Sequence, residues 1–352
     1  MKNPIVQLII GIIISAVVIY FTLKPINMAD LWFAMKSFNW FWSIPFLIVT
    51  WISFYARAIR WRYLMKPIGE FKSSRLFSPM MAGFAINSLL PMRIGEFARA
   101  YVLARKEAVT FTATFATIVV ERIFDSLMLL VLLVVVFTQI KIDPGLKLEY
   151  GPFQLTGEQL NQSSQKLAYL AILMLVGAGF LIWSKTRELM RGIVEKVPFA
   201  PQGIRMKISQ LIHNFSDGLH SLRDFKSVAM VILTSLFVWI TVGLCMQICA
   251  YAFPGMKMNL LQGIAITVIT CVAIIIPAAP GYWGLMELGM LFGLIVMNIV
   301  PNTPEGKATA LAYAFINHSL QIFPIIGYGL YCLIWKERIS IGEIAHKPEE
   351  AV

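Results

Sequence analysis

With 352 residues, 58% of them hydrophobic and only 14% charged, the chain has too little polar surface for a water-soluble domain of its length. The formal charge of +11, from 30 basic and 19 acidic residues, would suggest a nucleic-acid partner in a soluble protein. In a chain with mean hydropathy +0.72, basic cytoplasmic loops account for it better, and no nucleic-acid partner is expected. Apolar runs at 5–23, 41–55, 124–137, 167–183, 228–251 and 308–335, several extended by neutral flanks, suit the roughly 20 residues that cross a bilayer core. The fold class is therefore all-α, a polytopic integral membrane protein. The run at 5–23 follows Met1-Lys2-Asn3 without a small-residue cleavage site, so it reads as a retained first helix, not a signal peptide.

Taken in chain order, the loops alternate in charge. Segment 57–75 holds Arg57, Arg60, Arg62, Lys66, Lys72 and Arg75 against Glu70, and reads as cytoplasmic. Segment 141–166 is balanced, with Lys141, Lys147 and Lys166 against Asp143, Glu149 and Glu158, and reads as external. Segment 185–226 is basic again and cytoplasmic. Within it Ile204, Ile208, Leu211, Ile212, Phe215, Leu219 and Leu222 recur at helical spacing, the pattern of an interfacial amphipathic helix. A shorter amphipathic stretch at 31–38, with Trp32, Trp40 and Trp42 nearby, suits the opposite interface. Both termini, including the charged tail 336–352, are expected in the cytoplasm, and the location is the cell membrane.

These sides force two unusual segments. Residues 76–108 must enter and leave on the cytoplasmic side, and they break at Asn87-Ser88-Leu89-Leu90-Pro91 and Gly95. Residues 260–300 must enter and leave on the outside, and they break at Pro277-Ala278-Ala279-Pro280-Gly281-Tyr282-Trp283-Gly284. Short apolar limbs meeting at such a break describe a re-entrant hairpin, tolerated in a membrane only where protein covers the open backbone. One in each half, entering from opposite faces, points to an inverted repeat with a midplane site. Full-length helices joined by short loops would also satisfy the charge counts.

The first hairpin and the helix after it carry the charges. On a helix Arg93, Glu96 and Arg99 share a face, as do Glu121 and Asp125, with Arg122 turned away. Glu121 lies about 18 Å along a helix entering near Val109, close to the midplane. A charge there costs at least about 2.5–3.5 kcal/mol, so such groups face a partner or a wet cavity. Glu287 follows the second break with no partner nearby in sequence. Arg93, Arg99 and Arg122 balance Glu96, Glu121 and Asp125, which allows two readings: pairs that only staple helices, or a head-group site in which guanidinium binds phosphate and carboxylates bind amines.

The remaining polar groups add little. Cys245, Cys249, Cys271 and Cys332 fall in apolar runs without a metal-binding pattern and read as small buried residues. His318, beside Asn317 and near Gln321, lies inside a span and reads as a hydrogen-bonded interhelical group or a proton relay; His213, His220 and His346 read as solvent or interface residues. No nucleophile elbow, Walker loop or dinucleotide fingerprint occurs, so neither metal nor cofactor is expected.

Three motifs in order, Pro91-x-Arg93-x-Gly95-Glu96-x-x-Arg99, Glu121-Arg122-x-x-Asp125 and Pro277-x-x-Pro280-Gly281-x-x-Gly284-x-x-Glu287, resemble the transmembrane domain family of lysylphosphatidylglycerol synthases, also described as flippase-like. The resemblance covers nearly the whole chain. It implies re-entrant helices and movement of aminoacylated, anionic or polyprenyl-linked lipids between leaflets. Bifunctional members carry a cytosolic domain that makes lysylphosphatidylglycerol from lysyl-tRNA. Only 17 residues follow Trp335 (352 − 335), so that domain is not expected here, nor is intrinsic aminoacyl transfer.

The sequence therefore reads as a lipid transporter rather than an enzyme. Arg93, Glu96, Arg99, Glu121, Arg122, Asp125 and Glu287 are its head-group residues. The alternative is an integral-membrane enzyme or enzyme subunit acting on lipids or lipid-linked glycans, with Glu121 or Asp125 as general base; a weaker third reading is a scaffold for lipid-synthesis enzymes. The expected partner is a membrane phospholipid or lipid-linked substrate, with a homo-oligomer and a separate lipid-modifying enzyme left open.

Overall fold

The computed structural model describes residues 4–90, 93–139, 142–150, 153–182, 225–274 and 280–339. The amphipathic stretch 204–222, Pro91, Pro277, three of the histidines and the tail from residue 340 lie outside them. The described chain is helical apart from one two-stranded hairpin. Helix α1 spans Pro4–Leu23, α2 Met28–Lys36, α3 Ser43–Met65, α4 Ser73–Leu89, α5 Ile94–Lys106, α6 Phe111–Gln139 and α7 Gly157–Ile182. In the second half α8 spans Phe225–Tyr251, α9 Leu260–Ala273, α10 Leu285–Val296 and α11 Pro304–Tyr331. Three helices, Trp40–Met65, Phe225–Tyr251 and Pro304–Lys336, are long and apolar enough to cross a membrane.

The two halves meet along α3 and α8. α4 packs against α3, α5 and α11, while α10 packs against α9, α11 and α1. Small residues permit the closest approaches. Gly95 of α5 faces Gly83 of α4, and a Cβ on Gly95 would collide with the Gly83 carbonyl and stand 2.6 Å from Asn87 Oδ1. The Gly95 N–H instead donates to Asn87 Oδ1 at 2.7 Å, which ties the two limbs together just beyond their break. Aromatic and long apolar side chains fill the remainder, with Trp61, Met80 and Ile118 between α3, α4 and α6, and Phe46, Tyr313 and Leu294 toward the other end.

Both breaks hold backbone in the left-handed region. Arg93 precedes α5 at φ 56°, and Gly281, Tyr282 and Gly284 precede α10 at φ 68°, 60° and 92°. Gly284 is required twice over, because a Cβ there would also stand 2.9 Å from Val18 of α1. Pro280 opens the short 3₁₀ turn Pro280–Tyr282.

Two sequence expectations need correction. Segment 57–75 is not one loop: α3 runs to Met65, with Arg60 fully buried and Arg57 half-buried. Within 141–166, β1 (Lys147–Tyr150) and β2 (Phe153–Thr156) form an antiparallel hairpin with Lys147 opposite Thr156. The Tyr150 hydroxyl donates to the Thr22 carbonyl of α1, and burial pushes its phenol above the ordinary value. Asn302 donates to the Lys147 carbonyl at 2.6 Å and Lys307 to the Glu149 carbonyl at 2.8 Å, so the hairpin joins the end of α1 to the start of α11.

Candidate functional site

Glu121 of α6 is the centre of the first site and is fully buried. Three guanidiniums surround it. Arg99 of α5 grips it with both terminal nitrogens, at 3.2 and 3.0 Å; Arg60 of α3 lies at 3.1 Å, and Arg122 at 2.5 Å. One turn along α6, Asp125 accepts from Arg60 at 2.5 and 3.3 Å and lies 3.1 Å from Arg122. Glu96 of α5 completes the chain at 3.7 Å from Arg122 Nε. Removing six such charges from water is costly, and forked, charge-assisted bonds offset the cost. Neutral partners orient the arginines: the Arg99 guanidinium lies 3.6 Å from the centre of the Trp61 ring, Trp61 Nε1 donates to Thr117 Oγ1 at 2.9 Å, and Arg60 donates to Ser235 Oγ at 3.1 Å.

The pairing leaves cations over. Arg57, one turn before Arg60, stands over the faces of Phe54 and Phe84, 5.5 and 5.7 Å from their centres. It lies within electrostatic range of Asp125, Arg60, Arg122 and Glu121 but forms no hydrogen bond or ion pair with a described residue. Arg57, Arg60, Arg99 and Arg122 thus face three carboxylates. Each of the four also keeps a buried Nε–H without a hydrogen-bond acceptor. Arg93, at the break, is exposed and pairs with no described residue, yet it and Arg57 both act electrostatically on Cys271 at the end of α9.

The second site is smaller. Glu287 is fully buried in the first turn of α10, accepting from Gly284 N at 2.6 Å through Oε2 and meeting His318 Nδ1 of α11 at 2.6 Å through Oε1. The Trp283 ring lies 4.2 Å from that imidazole, and its carbonyl accepts from Ser15 Oγ of α1 at 2.8 Å. On the same helix Gln321 donates to Asn317 Oδ1 at 2.6 Å, and Asn317 donates to the Tyr313 hydroxyl at 3.5 Å. Among the described residues no three His, Cys, Asp or Glu side chains gather as a metal site.

The family description for the lysylphosphatidylglycerol synthase transmembrane region matches residues 8–329. The chain belongs to that family. Among curated relatives, the glycosyltransferase AglD of Haloferax volcanii is 23% identical over 287 residues, 77% of this chain and 45% of that protein. The chain thus spans less than half the length of that relative. The UPF0104 membrane protein MJ1078 of Methanocaldococcus jannaschii is 23% identical over 261 residues, 73% of this chain and 97% of that protein. No solved structure matches.

Within this family member, the structure brings Glu96, Arg99, Glu121, Arg122 and Asp125 together, and leaves Arg93 at the rim and Glu287 in a separate pair. It adds Arg60, which takes the place expected of Arg93, and Arg57. Both lie in the basic segment 57–75, whose charge density reads as loop. The signal that finds them is helical: Arg57, Arg60, Trp61 and Leu64 stand at i, i+3, i+4 and i+7, one face of a helix extended past residue 55. Nothing in sequence links Glu287 to His318, 31 residues away. Arg122 reaches Glu121 and Asp125 despite its different helical face, because the guanidinium is long enough to fold back.

Proposed function

We propose that the protein moves a phosphate-bearing lipid between the leaflets of the cell membrane, with the head group in the arginine cluster and the acyl or prenyl chains in the bilayer. The observation that carries this reading is the surplus of guanidinium: among the described residues four arginines stand around three carboxylates, and Arg57 forms an ion pair with none of them. A phosphate supplies the missing acceptor in the forked geometry that guanidinium prefers. Exposed Arg93, at the rim, is suited to the first encounter, and Glu96 and Asp125, which keep some exposure, can hold an amine on an aminoacylated head group.

The architecture supports the reading. α4 and α5, of 17 and 13 residues, and α9 and α10, of 14 and 12, reach at most about 26 Å each, short of a bilayer core of about 30 Å. We read both pairs as re-entrant hairpins of an inverted repeat, with cytoplasmic termini. The test is leaflet transfer of fluorescent phosphatidylglycerol and of a polyprenyl phosphate in liposomes containing the purified protein. Arg57→Met abolishes transfer of at least one of them while the protein stays folded. Wild-type rates in Arg57→Met for every lipid that the wild type moves would sink the proposal.

The name of the Haloferax relative favours a second reading, an enzyme or enzyme subunit in lipid-linked glycan synthesis. Chemical conversion of a labelled polyprenyl phosphate by the purified protein, in place of relocation, would establish it. A homo-oligomer or a separate lipid-modifying enzyme as partner fits either reading.

A further inference from the structure

The pair Glu287–His318 has a different electrical character from the arginine cluster, and no step of head-group binding uses it. Glu287 has no exposed surface, and both its oxygens are engaged, one by Gly284 N–H and one by His318 Nδ1. Among the described residues no arginine or lysine forms an ion pair with it. On the elements packed against α10 and α11 the titratable groups include Cys271 on α9, Cys245 and Cys249 on α8, the arginines of α3, Arg75 on α4, Asp30 and Lys36 on α2, Tyr20 on α1, Tyr282 in the turn, and Tyr313 and Tyr328 on α11 itself. None of these forms a hydrogen bond or ion pair with either member of the pair. The carboxylate charge is balanced, if at all, by one proton on the imidazole.

The two protonation states therefore differ by a whole charge in an apolar setting. With the proton bound, carboxylate and imidazolium form a neutral pair that ties α10 to α11. When the proton leaves, one negative charge remains in the core of the bundle, supported only by two hydrogen bonds, which is costly at that depth. The pair is also placed where a charge change can move backbone. Glu287 caps the first turn of α10 at Gly284, the break holds three residues at positive φ, and Trp283 links His318 to α1 through Ser15. The His318 side chain keeps 4% of its surface exposed, and its Nε2 bonds no described residue, which leaves a route for the proton. Histidine is the side chain suited to gain and lose a proton at ordinary pH.

We propose that Glu287 and His318 form a one-proton binding site that couples movement of the second helix break, and with it lipid transfer, to a proton gradient. The coupling rests on the lipid-transfer reading above; the proton site does not.

The test has two arms, both on the full chain in liposomes. In the first, transfer of fluorescent phosphatidylglycerol is followed with the pH gradient imposed in each direction and the membrane potential clamped. The wild type transfers several-fold faster in one direction of gradient than in the other, and Glu287→Gln loses that asymmetry. Equal wild-type rates in both gradients overturn the coupling. In the second arm, the emission of Trp283, isolated by difference from Trp283→Phe, is titrated with pH. An imidazolium against the indole quenches it, so the wild type shows a one-proton step that Glu287→Gln and His318→Gln abolish. A wild type without the step, or a step unchanged in both variants, overturns the proton site even where a variant has lost transfer. A step without any wild-type transfer overturns the lipid-transfer reading and its coupling, and leaves the proton site standing.

Discussion

The two helix breaks solve one problem in opposite ways. Each has left-handed backbone, and each half of the molecule holds a fully buried glutamate, Glu121 on α6 after the first break and Glu287 in the first turn beyond the second. In the first half, Glu121 is met by three permanent cations, and a fourth, Arg57, stands by without an ion pair among the described residues. At the second, Glu287 is met by one imidazole whose charge depends on a proton. The first site is fixed in charge and cation-rich, the chemistry of holding an anion. The second is switchable and has no spare charge, the chemistry of changing state. A buried glutamate alone says little about function; the number and type of its partners decide what it can do.

The comparison breaks most readily at Glu121. Glu121→Ala leaves Arg60, Arg99 and Arg122 converging without their shared anion, and removing one partner of a buried ion pair costs about 3–5 kcal/mol. Unfolding of the detergent-solubilised protein, followed by circular dichroism, measures this loss. A change below about 1 kcal/mol, the scale of a solvated pair, would mean that the cluster is wet and that its pairing is incidental.

Next come the helix contacts that bring the arginines of α5 to α6. Gly95→Ala drives a methyl group into the Gly83 carbonyl and Asn87, an overpacking that costs about 1–3 kcal/mol. The same assay reads it, and lipid transfer falls with it because α5 carries Arg99 and Glu96. Unchanged stability would show that α4 and α5 separate easily and that the first break is no more rigid than the second. At that second break Glu287→Ala orphans the Gly284 N–H and His318, a loss of about 1–3 kcal/mol, smaller than that of Glu121→Ala because two hydrogen bonds are lost rather than contacts to three arginines. Equal losses at the two glutamates would erase the distinction drawn between the sites.

How far the sequence reveals these sites follows from the range of the interactions. Helices, breaks and the charges on α5 and α6 are local patterns: apolar runs, Pro and Gly, and carboxylates at helical spacing. They are legible. Arg60 was hidden because charge counting treats a dense basic segment as loop, whereas Trp61, Leu64 and Met65 carry the apolar face of α3 through that segment into the core. The β-hairpin was hidden inside a polar loop, and its anchoring depends on Thr22, Asn302 and Lys307, which lie far off in sequence. Glu287 and His318 each look solitary in the chain, and only the packing of α10 on α11 makes them a pair.

The smallest expected effect on stability is the most telling about function. Arg57→Met removes a charge that has no partner among the described residues, and keeps the unbranched apolar stem that lies between Phe54 and Phe84. The variant loses a cation–π contact worth about 0.5–2 kcal/mol and sheds the cost of an uncompensated, half-buried cation, which is of similar size and opposite sign. Stability should therefore stay within about 0.5 kcal/mol of the wild type, the range of a neutral substitution. Structural pairing requires every cation in the cluster to contribute to folding; anion binding requires one to be held in reserve. A large loss of stability in Arg57→Met would assign Arg57 to the scaffold, and an unchanged fold with lost transfer would assign it to the lipid.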